Sequence, residues 1–201
     1  MTEYDASMIQ VLTLDASVRK RPGMYFRFAQ DNPLLPTQVL ADVLGSVDHP
    51  PTAVAPVHSA DAVAEITGDL AFTVTDNLRA QPGKSGYFDS LITPDRLWFA
   101  AAAALSTAVL VEIWQDGQAY RQHLAGLHPT GPAEEFPAPP GAGARFAFTL
   151  DTTYFAPGAA ITTDLATIDL HGPDCEKGHR TGSVTVRDLR GPQAPREFQY
   201  A

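Results

Sequence analysis

Apolar residues recur along this chain at two spacings, and the helical spacing of three to four residues predicts three helices. Residues 35–47 carry the clearest stripe, which two prolines end at positions 50 and 51. Residues 9–18 carry a shorter stripe that ends before a Pro-Gly pair. Residues 95–106 include five consecutive alanines, which predicts a buried helix with small side chains. The stripe positions are Ile9, Leu12, Ala16, Val18, Leu35, Val39, Val43 and Val47.

Strand-like alternation predicts two hairpins and two further strands. The second hairpin turns at Asp116 and Gly117, the strongest turn signal in the chain. Residues 129–143 hold five prolines and three glycines, which predicts a loop. The predicted strands are residues 62–66, 70–74, 109–114, 118–124, 144–150 and 183–187.

The order of these elements predicts one domain over residues 1–201, with an α+β fold. We expect a two-layer sandwich, in which helices cover one face of a mixed, mostly antiparallel sheet.

Composition narrows the classes of partner. The chain has 23 acidic and 14 basic residues, a formal charge of −9, so we expect no direct binding to nucleic acid. Its apolar runs are far shorter than the roughly 20 residues that span a bilayer, so we expect no membrane contact and a cytoplasmic location. Cys175 is the only cysteine, which excludes an intrachain disulfide.

One segment at the start of the chain indicates a family. Residues 4–26 read YDASMIQVLTLDASVRKRPGMYF, which closely resembles the opening of the N-terminal ATPase domain of the DNA gyrase B family. The hairpin segment EIWQDGQAYRQHL, with its Arg121–Gln122 pair, and the tail SVTVRDLRG resemble later parts of the same domain. The resemblance implies the Bergerat-type fold of the GHKL ATPase superfamily, here without the transducer domain that follows in gyrase.

The residues that hydrolyse ATP in that family are replaced here. The position of its catalytic glutamate falls at Ala41, and that of its magnesium-binding asparagine falls at Gly45. A methyl group cannot accept a proton and glycine has no side chain to bind a metal. Asp42 points about 100° away from Ala41 on a helix and cannot stand in for it. We therefore expect no ATP hydrolysis.

The nucleotide-binding motifs are also altered. Asp76 and Arg79 match the family's adenine-binding motif, but its two glycines fall at Leu78 and Ala80. Those glycines normally let the backbone approach the nucleotide. The glycine-rich lid that cradles the phosphates is missing, so we also expect no nucleotide cofactor.

The walls of the former adenine pocket suggest a different ligand. The resemblance places Asp42, Val74, Phe99 and Phe146 at the wall positions, with Trp98 close by. Two carboxyl groups in apolar surroundings have pKa values that are pushed apart, so Asp42 and Asp76 are candidate acid and base. His49 and Arg79 at the rim, and Arg121, are the remaining candidate ligand contacts. The alternative is that the phenylalanines simply fill the pocket.

Three functions remain open from the sequence. The leading hypothesis is a gyrase-B-like domain whose pocket binds a small apolar molecule. Whether the domain also transforms that molecule by acid/base chemistry is left open. The alternative is a non-catalytic pseudo-ATPase module that pairs weakly with itself or with gyrase through an N-terminal arm. The resemblance places Tyr4 and Ile9 in that arm. The third is a weak nucleotide binder, which the lost phosphate contacts disfavour.

A last candidate is a group of metal-ligand residues near the end of the chain. His171, Cys175 and His179 are spaced by four, with Asp174 between them. Zinc sites in sequences usually present closer pairs, and glycine and proline surround this stretch. The sequence therefore predicts a surface loop and no metal site.

Overall fold

The computed structural model describes residues 11–79, 86–171, 175, 180–192 and 195–200. Helix α1 begins after Thr13, and Asp15 in its first turn and Lys20 in its last complement the helix dipole. Helix α3 has a proline in its first turn, where the missing N–H costs nothing. The helices within these residues are α1 (Leu14–Lys20), α2 (Gly23–Phe26), α3 (Leu35–Asp48) and α4 (Leu97–Ala104).

The strands form one open sheet, in the order β5-β4-β3-β7-β2-β1-β8-β9, with β6 also paired to β4. Strands β1 and β8 run parallel, and the other neighbours are antiparallel. The strands are β1 (Ala62–Gly68), β2 (Ala71–Asp76), β3 (Ser106–Gln115), β4 (Gln118–Ala125), β5 (His128–Pro129), β6 (Glu134–Glu135), β7 (Gly143–Leu150), β8 (Val184–Asp188) and β9 (Arg196–Tyr200).

One face of the sheet carries the core. Phe146 and Phe148 lie two residues apart on β7 and therefore point to the same face. The ring centroid of Phe148 is 4.9 Å from that of Phe72 on the neighbouring strand. Helix α4 packs on this face through Phe99, whose ring centroid is 4.4 Å from that of Phe146. Phe99 is completely buried, as are the alanines that follow it, because small side chains let α4 approach the sheet closely.

The structure confirms an α+β fold with a mixed, mostly antiparallel sheet. It also confirms the predicted second hairpin, where Asp116 and Gly117 both have positive φ as a two-residue turn requires. The first helix differs from its prediction, since α1 begins at Leu14 and residues 1–10 lie outside the described part of the chain. The predicted loop contains the short strands β5 and β6, which pair with the edge of β4.

Among the described residues, no helix combines the length and the apolar character that crossing a bilayer requires.

Candidate functional site

Asp76, the carboxylate predicted to recognise a ligand, is buried at the end of β2 and paired with an arginine. Its side chain is fully buried, and its two oxygens accept hydrogen bonds from the guanidinium of Arg96, one at 2.8 Å. Asp76 Oδ1 also accepts the backbone N–H of Leu78 at 3.0 Å. Burial alone would lower the pKa of Arg96, but the charge and hydrogen bonds of Asp76, together with the charge of Asp95, raise it. The acceptors of Asp76 are therefore used within the chain.

Arg96 also lies over the aromatic rings that were predicted to line a cavity. Its Cζ atom is 5.0 Å from the centroid of Phe99 and 5.6 Å from that of Phe146. A guanidinium over an aromatic face is attracted by the ring quadrupole. Val74 and both phenylalanines are at most 1% exposed. Two of the predicted wall residues, Phe99 and Phe146, therefore pack against Arg96.

Asp42 has a different set of neighbours. On helix α3, its Oδ1 accepts a hydrogen bond from Gln38 at 3.0 Å, and its Oδ2 is buried without a hydrogen-bond partner among the described residues. Burial raises the pKa of Asp42, against the lowering effects of Gln38 and Arg27, and Asp169 adds to the rise. Asp42 and Asp76 share no partner in the described part of the chain. The proposed acid/base pair stays a prediction, which these separate surroundings do not favour.

Two of the predicted ligand contacts are used elsewhere. Trp98 packs near Phe26, with ring centroids 6.0 Å apart. Arg79 forms an exposed ion pair with Asp116 at the turn of the β3–β4 hairpin. Tyr4 and Ile9, the predicted arm residues, lie outside the described residues.

Arg121 was predicted to contact the ligand, and the structure places it on the face of the sheet opposite to Phe146. Arg121 lies opposite Glu112 across the β3–β4 ladder, and Glu112 also lies opposite Arg145 of β7. Since successive side chains of a strand point to opposite faces, Arg121 and Arg145 lie on the face away from Phe146. There Arg121 covers the ring of Phe136, with its Cζ 4.6 Å from the centroid.

A second site lies at the end of α3, where three histidines surround the cysteine. The Sγ atom of Cys175 is 2.9 Å from His49 Nε2, 3.3 Å from His171 Nδ1 and 3.6 Å from His58 Nε2. All four donor atoms lie within 4.8 Å of one another. The imidazole rings meet edge to face or tilted, with centroids 4.6–5.6 Å apart. We name this group the His–Cys cluster.

A buried carboxylate orients one of these rings. Asp48 is completely buried, and its Oδ2 is 3.0 Å from His58 Nδ1. Arg180 holds the same carboxylate with two hydrogen bonds of 2.7 and 2.9 Å. His49 is fixed in a similar way, because its Nδ1 lies 3.1 Å from the carbonyl oxygen of Gly45. In the neutral rings, both Nδ1 atoms carry the proton, so both Nε2 lone pairs point towards Cys175.

The backbone of His58 is also held in place. Its φ of 59° lies in the left-handed region, which a residue with a side chain seldom adopts. Its N–H donates to the carbonyl of Asp48 at 2.7 Å, and its own carbonyl accepts N–H groups from Thr181 and Gly182. A Cβ at Gly182 would come within 2.1 Å of the carbonyl oxygen of Ala60, so this approach needs glycine. Such a conformation persists only where its surroundings enforce it.

Gly45 lets the segment that carries His171 approach the cluster. A Cβ at this position would lie 3.1 Å from the carbonyl oxygen of Leu170, a contact tighter than most. Glycine therefore lets the chain that carries His171 run close to α3, one turn before His49. Gly45 thus has a packing role in this chain.

The sequence predicted a surface loop and no metal site for this region. The structure brings His171 and Cys175 of this region together with His49 and His58. The prediction considered only spacing within residues 171–179, whereas the other two donors come from more than 110 positions earlier. His179 and Asp174 lie outside the described residues. His49 was predicted as a rim contact, and His58 was missed.

No protein-family model matches this chain, and no curated protein matches it.

Proposed function

We propose that this protein is a gyrase-B-like domain that has lost ATP binding and hydrolysis and acts as a non-catalytic interaction module. The observation that carries the proposal is the pairing of Asp76 with Arg96. In the resembling family, the matching carboxylate binds the amino group of adenine. Here a side chain of the protein itself occupies the acceptors.

The contacts of Arg96 support this proposal on energetic grounds. A nucleotide that bound Asp76 would have to displace the guanidinium of Arg96 and so break a buried ion pair. Removing one partner of such a pair costs about 3–5 kcal/mol. At 1.4 kcal/mol for each factor of ten, this cost lowers an affinity by roughly two to four orders of magnitude.

The position of the lost base supports the loss of hydrolysis. Ala41 is 3% exposed in the core side of α3, where no proton acceptor takes the place of the family's glutamate among the described residues. Asp42, one residue on, is held by Gln38 rather than directed towards Asp76. The Bergerat-type fold and the two-layer arrangement are part of the proposal and rest on the resemblance of residues 4–26.

The second candidate function is binding of a small apolar molecule, which one observation favours. Asp42 Oδ2 is buried without a hydrogen-bond partner among the described residues, and such an acceptor could receive a donor from a ligand. We rank this function second because Arg96 and Leu78 already use three of the roughly four acceptor sites of Asp76. Asp42 would act without its predicted partner.

A matched pair of nucleotide-binding measurements tests the proposal. Wild-type protein should show no magnesium-dependent ATP hydrolysis and no heat of binding with ATP up to millimolar concentration. Arg96→Ala should uncover Asp76 and gain measurable affinity for adenine or ATP if the arginine excludes them. The control Arg79→Ala removes an exposed arginine whose partner is Asp116 and should leave binding undetectable. Micromolar ATP binding by the wild type would refute the proposal.

A further inference from the structure

The His–Cys cluster presents more hydrogen-bond acceptors than donors. The Nδ1 atoms of His49 and His58 donate outwards, to Gly45 and Asp48, so their Nε2 lone pairs face Cys175. His171 turns its Nδ1 towards the same sulfur. A single thiol proton cannot satisfy both Nε2 lone pairs. A cation at the centre satisfies both at once and can also bind Nδ1 of His171.

We propose that His49, His58, His171 and Cys175 bind one Zn²⁺ ion. A regular tetrahedron with zinc–nitrogen and zinc–sulfur bonds of about 2.0–2.3 Å has edges of roughly 3.3–3.8 Å between its donors. The three distances from Cys175 Sγ, 2.9, 3.3 and 3.6 Å, lie in or close to this range. All four donor atoms lie within 4.8 Å of one another, so the most distant pair must approach by up to about 1–1.5 Å to reach the tetrahedron.

The donor set selects the class of metal. Three imidazoles and one thiolate suit Zn²⁺, whereas Mg²⁺ and Ca²⁺ require oxygen donors.

The groups around the donors match those that support zinc sites in general. Asp48 accepts the outward N–H of His58, a carboxylate–histidine arrangement that fixes the ring and strengthens its ligand nitrogen. Arg180 in turn holds Asp48 with two hydrogen bonds. The carbonyl oxygen of Gly45 accepts the Nδ1–H of His49 and so fixes the orientation of its ring. The four donors and their supports therefore form a preorganised site.

Four protein ligands leave no open coordination position, which is typical of a structural zinc centre. The ligands come from three places: the end of α3, the loop before β1 and the segment before β8. Strand β8 pairs in parallel with β1. The ion would therefore link the segments that precede these two neighbouring strands. Zinc therefore stabilises the edge of the sheet that carries β8 and β9.

The first measurement is the metal content of the purified protein. Elemental analysis should find one zinc per chain, and a chromophoric chelator should release it. Chelator-stripped protein should take up one Co²⁺ and give the intense visible bands and thiolate charge-transfer absorption of a tetrahedral site. Free Zn²⁺ at 100 times its Kd should raise the Tm of stripped protein by roughly 5–10 °C.

Variants then locate the ion. Cys175→Ser should remove the charge-transfer band and weaken Zn²⁺ binding at least 10-fold, and His58→Ala should weaken it at least as much. The matched control His123→Ala removes an exposed histidine of β4 and should leave binding unchanged. If a variant does not fold, the cobalt spectrum of stripped wild-type protein still decides the question.

Two outcomes would overturn the proposal. One is wild-type protein that holds no zinc and gives no tetrahedral cobalt spectrum. The other is a Cys175 that reacts rapidly with iodoacetamide at the same rate with and without Zn²⁺, which would identify the cluster as an activated Cys–His nucleophile.

Discussion

Replacing Arg96 by methionine tests how much the buried pair of Arg96 and Asp76 stabilises the fold. Methionine keeps the apolar stem but removes the guanidinium, leaving the carboxylate of Asp76 buried without its ion-pair partner. The Asp76 side chain is fully buried and that of Arg96 is 9% exposed, so solvent cannot compensate. Breaking a buried pair in this way costs about 3–5 kcal/mol. For a domain of this size, the loss corresponds to a fall in Tm of roughly 6–20 °C.

Thermal unfolding followed by far-UV circular dichroism measures this loss, with two comparisons. The control Arg79→Met breaks the exposed pair with Asp116 and should cost less than about 1 kcal/mol. In the double variant Arg96→Met/Asp76→Asn, the amide removes the charge and still accepts the N–H of Leu78. We expect it to recover about 2–3 kcal/mol. An Arg96→Met protein as stable as the Arg79→Met control would show that the buried pair of Arg96 and Asp76 does not stabilise the fold.

Two further predictions concern Asp42 and the N-terminal arm. Burial raises the pKa of Asp42, so its ionised form costs stability at neutral pH and that cost disappears as pH falls towards the ordinary carboxyl range near 4. Asp42→Asn should therefore raise Tm by a few degrees at pH 7 and by less at pH 4, and an equal rise in Tm at both values would contradict this. If residues 1–9 form an exchange arm, light scattering should show a weak dimer that becomes monomeric when they are deleted. A monomer at high concentration in the intact chain would exclude the arm.

Local signals account for most of the fold that could be predicted. The stripe from Leu35 to Val47 predicted helix α3 because its spacing and the following prolines act within a few turns. Asp116 and Gly117 predicted a hairpin because both positions of that turn need positive φ. The edge strands β5 and β6 were missed because two-residue strands are decided by their neighbour β4 and not by their own sequence.

The Arg96–Asp76 pair and the His–Cys cluster could not be predicted because both depend on contacts between residues far apart in the sequence. Arg96 precedes α4 and resembles any helix-flanking arginine until the fold brings it against Asp76, twenty positions earlier. The His–Cys cluster joins Cys175 to residues 117 and 126 positions away. One signal was available: His49 and His58 lie near the end of a predicted helix, and pairing them with His171 and Cys175 would have produced a zinc-type donor set.

Crystals grown with Zn²⁺ and a non-hydrolysable ATP analogue, measured on both sides of the zinc absorption edge, test both the zinc site and the exclusion of nucleotide by Arg96. The anomalous difference map should show one zinc about 2.0–2.3 Å from the donor atoms of His49, His58, His171 and Cys175. Arg96 should remain on Asp76, with no nucleotide beside it. Nucleotide density against Asp76, with Arg96 displaced and no zinc peak at the His–Cys cluster, would contradict the account.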